Sequence, residues 1–205
     1  MPASGPYPPA QLRTARLVLR PFTIADAPAL AELIATERPR LRRNFPRTAG
    51  AIQDEATAGV YITLRETDWH LRTAFQYGLW LPGGAGRSPQ CVGYISLRDM
   101  HWTPFDVPKA ELGYWLAATH EGQGLMREAL PAVLQAVFGA VGLEKLFARV
   151  LPENVRSSQL LLHLGFRHSG VLRREFRCGD DGTLHDIDYY DLLRAEWHAR
   201  SAETA

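Results

Sequence analysis

The densest chemistry in the chain lies between Glu111 and Met126. The run reads Glu111-Leu-Gly-Tyr-Trp-Leu116, then Ala-Ala-Thr-His120, then Glu-Gly-Gln-Gly-Leu-Met126. A strand-like stretch enters a loop with two glycines, and the loop opens a helical pattern. The first N–H groups of a helix lack intrahelical partners, and the helix dipole adds partial positive charge there. Gly122 and Gly124 allow unusual φ/ψ and a close backbone approach. Together they form a candidate cradle for an anion such as a pyrophosphate, built without Lys or Arg. A mere tight connection would be spelled the same way. There is no Gly-Lys-Ser/Thr, so the run is not a P-loop. A dinucleotide fingerprint would need a glycine at Arg127 and a full βαβ unit, and both are missing.

Two carboxylates are placed to accept protons. Glu111 shares a strand face with Gly113 and Trp115 by alternation, and Glu175 follows Gly170-Val-Leu-Arg-Arg174. Glu111 is the first candidate general base and Glu175 the second; the plainer readings are a structural carboxylate on a half-exposed strand for Glu111 and a solvated strand residue beside Arg173, Arg174 and Arg177 for Glu175. Asn154 precedes a helical run and suits an N-cap. Arg38, Arg40, Arg42, Arg43 and Arg47 crowd one segment with Phe45 and Pro46, which reads as a solvated helix end or as a surface for acidic partners. The seven histidines show no metal spacing, and His120 packs at the loop edge or donates to an anion. Cys91 lies in an apolar run and is expected to be buried. Cys178, beside a Gly-Asp turn, is expected to be a surface thiol. No disulfide, zinc site or other metal site is expected. No Gly-x-Ser-x-Gly elbow or cysteine–histidine pair marks a covalent nucleophile.

The elements that position these residues follow from periodicity. Residues 16–21 read as a first strand. Thr23, with Asp26 three residues on, can cap a helix carrying Ala27, Leu30, Leu33 and Ile34. A second helix spans 52–65. Strands at 73–81 and 91–98 form a hairpin around the turn Pro82–Gly86, and 109–117 is another strand beyond the loop 103–108. A helix over 124–140 buries Leu130, Val133, Leu134, Val137 and Phe138, with Pro131 expected to kink it or adjust its first stretch. A short strand at 145–151 precedes a helix at 155–164 that Gly165 stops. Two last strands, 166–176 and 185–193, flank the turn 179–182. The order predicts an α/β (α+β) fold, a mixed sheet with helices on its faces. Residues 1–11 read as a disordered lead-in, 12–197 as one domain and 198–205 as a tail.

With 205 residues, 46% hydrophobic and 22% charged, the chain suits one globular core. Its net charge of +1 gives no reason to expect direct nucleic-acid or membrane binding. No apolar run approaches a membrane span, and the Pro-rich start lacks the form of a secretory signal. Cytoplasmic residence is the expectation.

Several motifs in order carry a resemblance. Glu111–Leu116, Gly122–Met126 and Glu128-Ala-Leu130 resemble the acetyl-CoA motif of the GNAT superfamily of N-acetyltransferases. Pro152-Glu-Asn154-Val-Arg-Ser157 and Leu164-Gly-Phe166 resemble its second conserved segment. Gly170–Arg173, the late Asp186-Ile-Asp-Tyr-Tyr190 and the opening Thr14–Pro21 are similar to the RimJ/RimL branch, named for N-terminal acetylation of ribosomal proteins. The resemblance spans about residues 12–195.

It implies a sheet splayed between strands 109–117 and 145–151, with acetyl-CoA in the gap and no metal. The pyrophosphate would rest on the Gly122–Met126 backbone, with Glu121 and Gln123 in the same loop, and the pantetheine would run along Trp115, Leu116 and Ala117. Asn154 would bond the pantetheine or hold the strands apart. Ser157 matches the serine that serves the leaving thiolate in the branch, and Glu175 falls one residue from its base position. Glu111 lies on the strand that often carries the base. The usual loop Gln or Arg is here Glu121, a carboxylate beside the phosphates. The tyrosine that many relatives place seven residues after the motif asparagine is here Leu161. The segment holding the five arginines lines the acceptor groove in relatives. The implied activity is transfer of an acetyl group to a primary amine, foremost a protein N-terminus. A small amine such as an antibiotic or polyamine is a second acceptor class. A CoA-binding sensor without catalysis is a third reading, and a homodimer is compatible with any of them.

Overall fold

The computed structural model describes residues 7–203 except 85, 87, 103 and 104. Parts of the expected lead-in, hairpin turn, 103–108 loop and tail fall outside the described residues. Eight strands form one sheet: β1 (Leu12–Arg13), β2 (Val18–Arg20), β3 (Phe75–Leu81), β4 (Gln90–His101), β5 (Lys109–Leu116), β6 (Lys145–Val150), β7 (Arg167–Arg177) and β8 (Leu184–Leu193). Their order is β1-β2-β3-β4-β5-β6-β8-β7. Every neighbouring pair is antiparallel except β5–β6. Helices α1 (Ala27–Asn44), α2 (Pro46–Ala51), α3 (Glu55–Leu71), α4 (Leu125–Ala136), α5 (Val155–His163) and α6 (Arg194–Glu203) complete the mixed fold.

Two apolar clusters lie on the faces of the sheet. On one, α4 sets Leu125, Ala129, Leu130, Val133 and Leu134 against Leu79, Val92, Ile95 and Leu97. The helical spacing of the first set and the alternation of Ile95 and Leu97 produce this contact, and the register shift at Leu79/Trp80 turns Val92 to the same cluster. On the other face, Leu30, Ile34, Leu41, Ile52 and Ile62 pack on Trp80, Tyr94 and Trp115.

The parallel pair β5–β6 carries the feature that matters for function. Its register is confined to Lys109↔Lys145, Ala110↔Leu146 and Glu111↔Phe147. Beyond Glu111 the two strands separate while each keeps its outer neighbour, β4 or β8. The sheet therefore opens into a V at its centre, as the resemblance implied.

Several boundaries differ from expectation. Helix α2 was not foreseen; Pro46 stands at its first position, where its missing N–H costs nothing. The second expected helix starts at Glu55, capped by Asp54, and extends to Leu71. The first strand shortens to Val18–Arg20, because the chain turns just before it with Thr14 N–H donating to Leu17 C=O, 2.9 Å. Asp26 reaches back to the Thr23 N–H at 2.7 Å, and α1 begins one residue later, after a 3-10 turn. Helix α4 runs through Pro131 in α geometry, and the irregularity comes later as a π turn over Val137–Val141. Helix α6 occupies part of the expected tail. Among the described residues no helix is long and apolar enough to cross a membrane.

Candidate active site

The loop after β5 forms the first wall of the V. Gly122 (φ 72°) and Gly124 (φ 75°) both take left-handed backbone conformations that side chains resist. The first bond of α4 runs from Glu128 N–H to Gly124 C=O at 3.0 Å, so the N–H groups of Leu125, Met126 and Arg127 precede it. The β1–β2 connection fixes this helix start. Arg16 Nε meets Glu128 at 2.6 Å, Arg16 Nη1 donates to Gln123 C=O at 2.9 Å, and Thr14 donates to the same carboxylate. A cleft of about 590 Å³ lies along this wall. Its lining includes Trp115, Leu116, Glu121, Gly122, Gly124, Leu125, Met126, Asn154 and Ser157. Of the residues expected to hold the cofactor, Ala117 and Gln123 do not line the cleft. Ala117 N–H bonds Val92 C=O at 2.8 Å, and the Gln123 amide bonds Thr119 C=O at 2.8 Å.

Glu121 is clasped. One oxygen accepts from Arg40 of α1, and the other from Arg156 of α5 at 2.9 Å. Arg40 also bonds Glu37 at 2.5 Å, and Glu37 accepts the Ala118 N–H at 3.0 Å. The carboxylate that looked unfavourable beside phosphates thus brings two guanidinium groups to the cleft mouth. This fits a polyanionic cofactor: free helix-start N–H groups, two glycines and two positive side chains converge there.

A second pocket of about 420 Å³ opens on the other side of the V. At its floor, Glu111 is buried, with its side chain 3% exposed. Arg98 bonds it through Nε at 3.0 Å and Nη2 at 2.7 Å; Arg149 does so through Nε at 3.0 Å and Nη2 at 2.8 Å. Strand register explains the grouping. Arg98 pairs with Glu111 across β4–β5, and Arg149 lies two residues beyond the last β5–β6 partner, Phe147. Burial alone would raise the Glu111 carboxyl above its ordinary value, but the two guanidinium groups outweigh it and hold the carboxyl below.

Glu175 lines the same pocket and is 47% exposed, with Arg149 Nη1 3.7 Å away. A bulge places it there. Leu172 pairs with Ile187 and Phe176 with His185, so three β7 residues face Asp186. Arg174 takes φ 52° within the bulge and donates its N–H to Asp186 at 2.8 Å.

The cleft and the pocket share Asn44, Phe45, Tyr114, Leu151, Asn154 and Ser157. At this junction the Tyr114 hydroxyl and Ser157 Oγ are 2.7 Å apart. Burial pushes the Tyr114 phenol up to about 12, so it keeps its proton, and either hydroxyl of the pair can donate to the other. Asn154 caps α5, accepting the Ser157 N–H at 3.2 Å. Tyr114 lies within the β5 motif, but the motif alone assigns it no role.

The five arginines divide. Arg38 is tied to Ala49 C=O at 2.7 Å and Arg43 to Glu153 at 2.7 Å. Arg40 holds Glu121, Arg42 lines a shallow cavity beside Gly179, and Arg47 lines the second pocket. Cys91 is buried as expected, but Cys178 is buried too, correcting its reading as a surface thiol. Its turn packs against α1: a Cβ on Gly179 would come within 2.1 Å of Arg42 C=O. Cys178, Asp181 and His185 converge there with ligand atoms within 4.8 Å, a grouping that their spacing had not suggested. Thr183 knits it, donating to Asp181 through N–H (2.9 Å) and hydroxyl (2.7 Å), with His185 Nε2 2.8 Å from that hydroxyl.

A splayed mixed sheet with a helix-start anion cradle along the gap is the arrangement that the GNAT resemblance implies for acyl-CoA-dependent transfer. Comparison with known proteins agrees. The acetyltransferase (GNAT) domain family matches residues 16–167, and the chain belongs to that family. It is 29% identical over 195 residues to the [ribosomal protein uS5]-alanine N-acetyltransferase of Escherichia coli, covering 93% of this chain and 94% of that one. The ribosomal-protein-S5-alanine acetyltransferase of Vibrio fischeri superposes with a TM-score of 0.80 at 20% identity, over 91% and 98% of the two chains. RimJ of Mycobacterium smegmatis, solved with a CoA-disulfide, gives 0.77 at 23% identity, over 98% and 93%. The chain is thus an acetyl-CoA-dependent N-acetyltransferase of the GNAT family, similar to the ribosomal-protein N-acetyltransferases.

Proposed function

We propose that this enzyme acetylates the α-amine of a protein N-terminus by direct transfer across the V. The carrying observation is the shared wall: the Tyr114–Ser157 hydroxyl pair belongs both to the cleft with the phosphate cradle and to the pocket with Glu175. Acetyl-CoA supplies an activated thioester carbonyl. The backbone of Gly122–Met126 would hold its pyrophosphate, assisted by Arg40 and Arg156, and Asn154 would meet the pantetheine.

An α-amine has a pKa of about 7.7–8.0 and arrives largely protonated. Glu175 is the base in this mechanism, taking the amine proton directly or through one water. Glu111 is less suited to that role, because protonation would break its bonds to Arg98 and Arg149. It instead fixes both arginines, and Arg149 helps to orient Glu175. Tyr114, as the stronger donor of the hydroxyl pair, and Ser157 hydrogen-bond the departing sulfur. With these two groups at the junction, the reaction does not need a tyrosine at the Leu161 position.

The acceptor assignment rests on the resemblance and on the E. coli and Vibrio relatives, whose names give ribosomal-protein alanine as their target. The test is thiol release from acetyl-CoA with a panel of N-terminal peptides and small amines, and mass spectrometry to locate the acetyl group. Acetylation of peptide α-amines is the expected result. Turnover restricted to small amines would replace the acceptor, and saturable CoA binding without any thiol release would replace catalysis by sensing.

A further inference from the structure

The charge of the second pocket is one-sided. Arg47, Arg98, Arg149 and Arg177 line it against Glu111 and Glu175. Glu111 occupies Arg98 and Arg149 from below. Arg47, exposed on α2, forms no hydrogen bond or ion pair with any described residue. Arg177, exposed at the end of β7, gives one Nη1 bond to Gly182 C=O at 2.8 Å and meets no carboxylate among the described residues. The neighbouring acids are otherwise engaged: Glu153 pairs with Arg43, and Asp181 accepts from Thr183. Asp99, near Arg98 and Arg149, does not line the pocket.

An amine that enters as an ammonium meets this surplus of positive charge. Glu175 offsets part of the repulsion, but it is also the group that must take the proton. The same field favours the neutral, nucleophilic form of the amine once bound. An acceptor that brings its own negative charge reconciles rapid chemistry with adequate binding. On the reading that this pocket receives the acceptor amine, we propose that the preferred acceptor carries an anionic group beside its reacting amine. That group is a carboxylate or phosphate, held between Arg47 and Arg177. Guanidinium geometry suits either one bidentately. In a peptide, the anion would come from an acidic or phosphorylated residue directly after the N-terminal one.

The experiment compares kcat/KM for N-terminal peptides that differ only at the second residue: Glu, phosphoserine, Gln or Lys. A small amino carboxylate and its amide form a parallel pair. Each is run with the wild-type protein, Arg47→Ala, Arg177→Ala and the double variant, and peptide binding to the CoA-saturated protein is measured by calorimetry. The expected result is an acidic-over-neutral preference of about tenfold, carried mainly by KM, shrinking with salt and collapsing toward one in the double variant. A preference confined to the small-amine pair would assign the anion to a small acceptor. Equal use of Glu and Lys peptides, or a preference that survives in the double variant, overturns the proposal. Acidic selectivity in binding with no turnover supports it while removing the transfer reading; turnover without charge preference does the reverse.

Discussion

The two sides of the V are built from different materials. The cofactor side uses backbone: left-handed glycines, the opening N–H groups of α4 and the free edge of β5. The acceptor side uses side-chain charge, with Glu111, Arg98, Arg149 and Glu175 drawn from β4, β5, β6 and β7. A backbone cradle fixes an anion chiefly by its shape, with Arg40 and Arg156 adding charge at its mouth. A side-chain pocket can be changed residue by residue. On the proposed reading, that division would let the acyl donor stay constant while the acceptor varied.

The comparison is most sharply tested on the acceptor side. Glu175→Gln should lower kcat by about 10²–10⁴-fold, with stability changed by less than ~0.5 kcal/mol because the side chain is half exposed. If kcat holds while acetylation is confirmed, the base is elsewhere. Next in size is Glu111→Ala, which strands two guanidinium groups in a partly buried site. A loss of about 3 kcal/mol is expected from denaturant titration. Because the folded Glu111 carboxyl sits below its ordinary 4.5, its contribution is fully present above that pH and disappears as pH falls through the folded value. The acid limb of the wild-type stability curve should therefore flatten in Glu111→Gln. The smallest effect belongs to the cofactor side. Glu121→Gln removes a carboxylate from the phosphate mouth and frees Arg40 and Arg156, so CoA should bind about threefold more tightly. Weaker binding in calorimetry would mean that Glu121 is needed to hold those arginines in place.

The two sides also differed in how far they could be read from residues alone. Gly122, Gly124 and the apolar stripe after them are contiguous, so local periodicity and turn chemistry identified the cradle and nearly every sheet strand. The pairing of Glu111 with Arg98 and Arg149 joins residues 13 and 38 positions apart on neighbouring strands, which only strand register reveals. Glu175 faces the pocket through a bulge, and simple alternation does not count the extra residues. Arg38–Arg47 looked like one basic patch, yet tertiary partners divide it into structural, cofactor-side and acceptor-side members. Helix α2 escaped notice because its six polar and small residues carry no apolar stripe, although Pro46 was a start signal. Cys178 was misplaced because a turn sequence does not show what the turn packs against.

The three-residue pairing between β5 and β6 gives the sheet an edge in its interior. From Leu112 to Leu116, β5 has β4 on one side and no strand on the other among the described residues. An exposed edge of this kind invites pairing with another chain; here it lies in the cleft between the end of α1 and the start of α5. The amides of a pantetheine arm would supply what a ninth strand would have supplied. On the proposed reading, donor binding would complete the sheet, and it would stabilise the fold with the logarithm of the donor concentration above its dissociation constant.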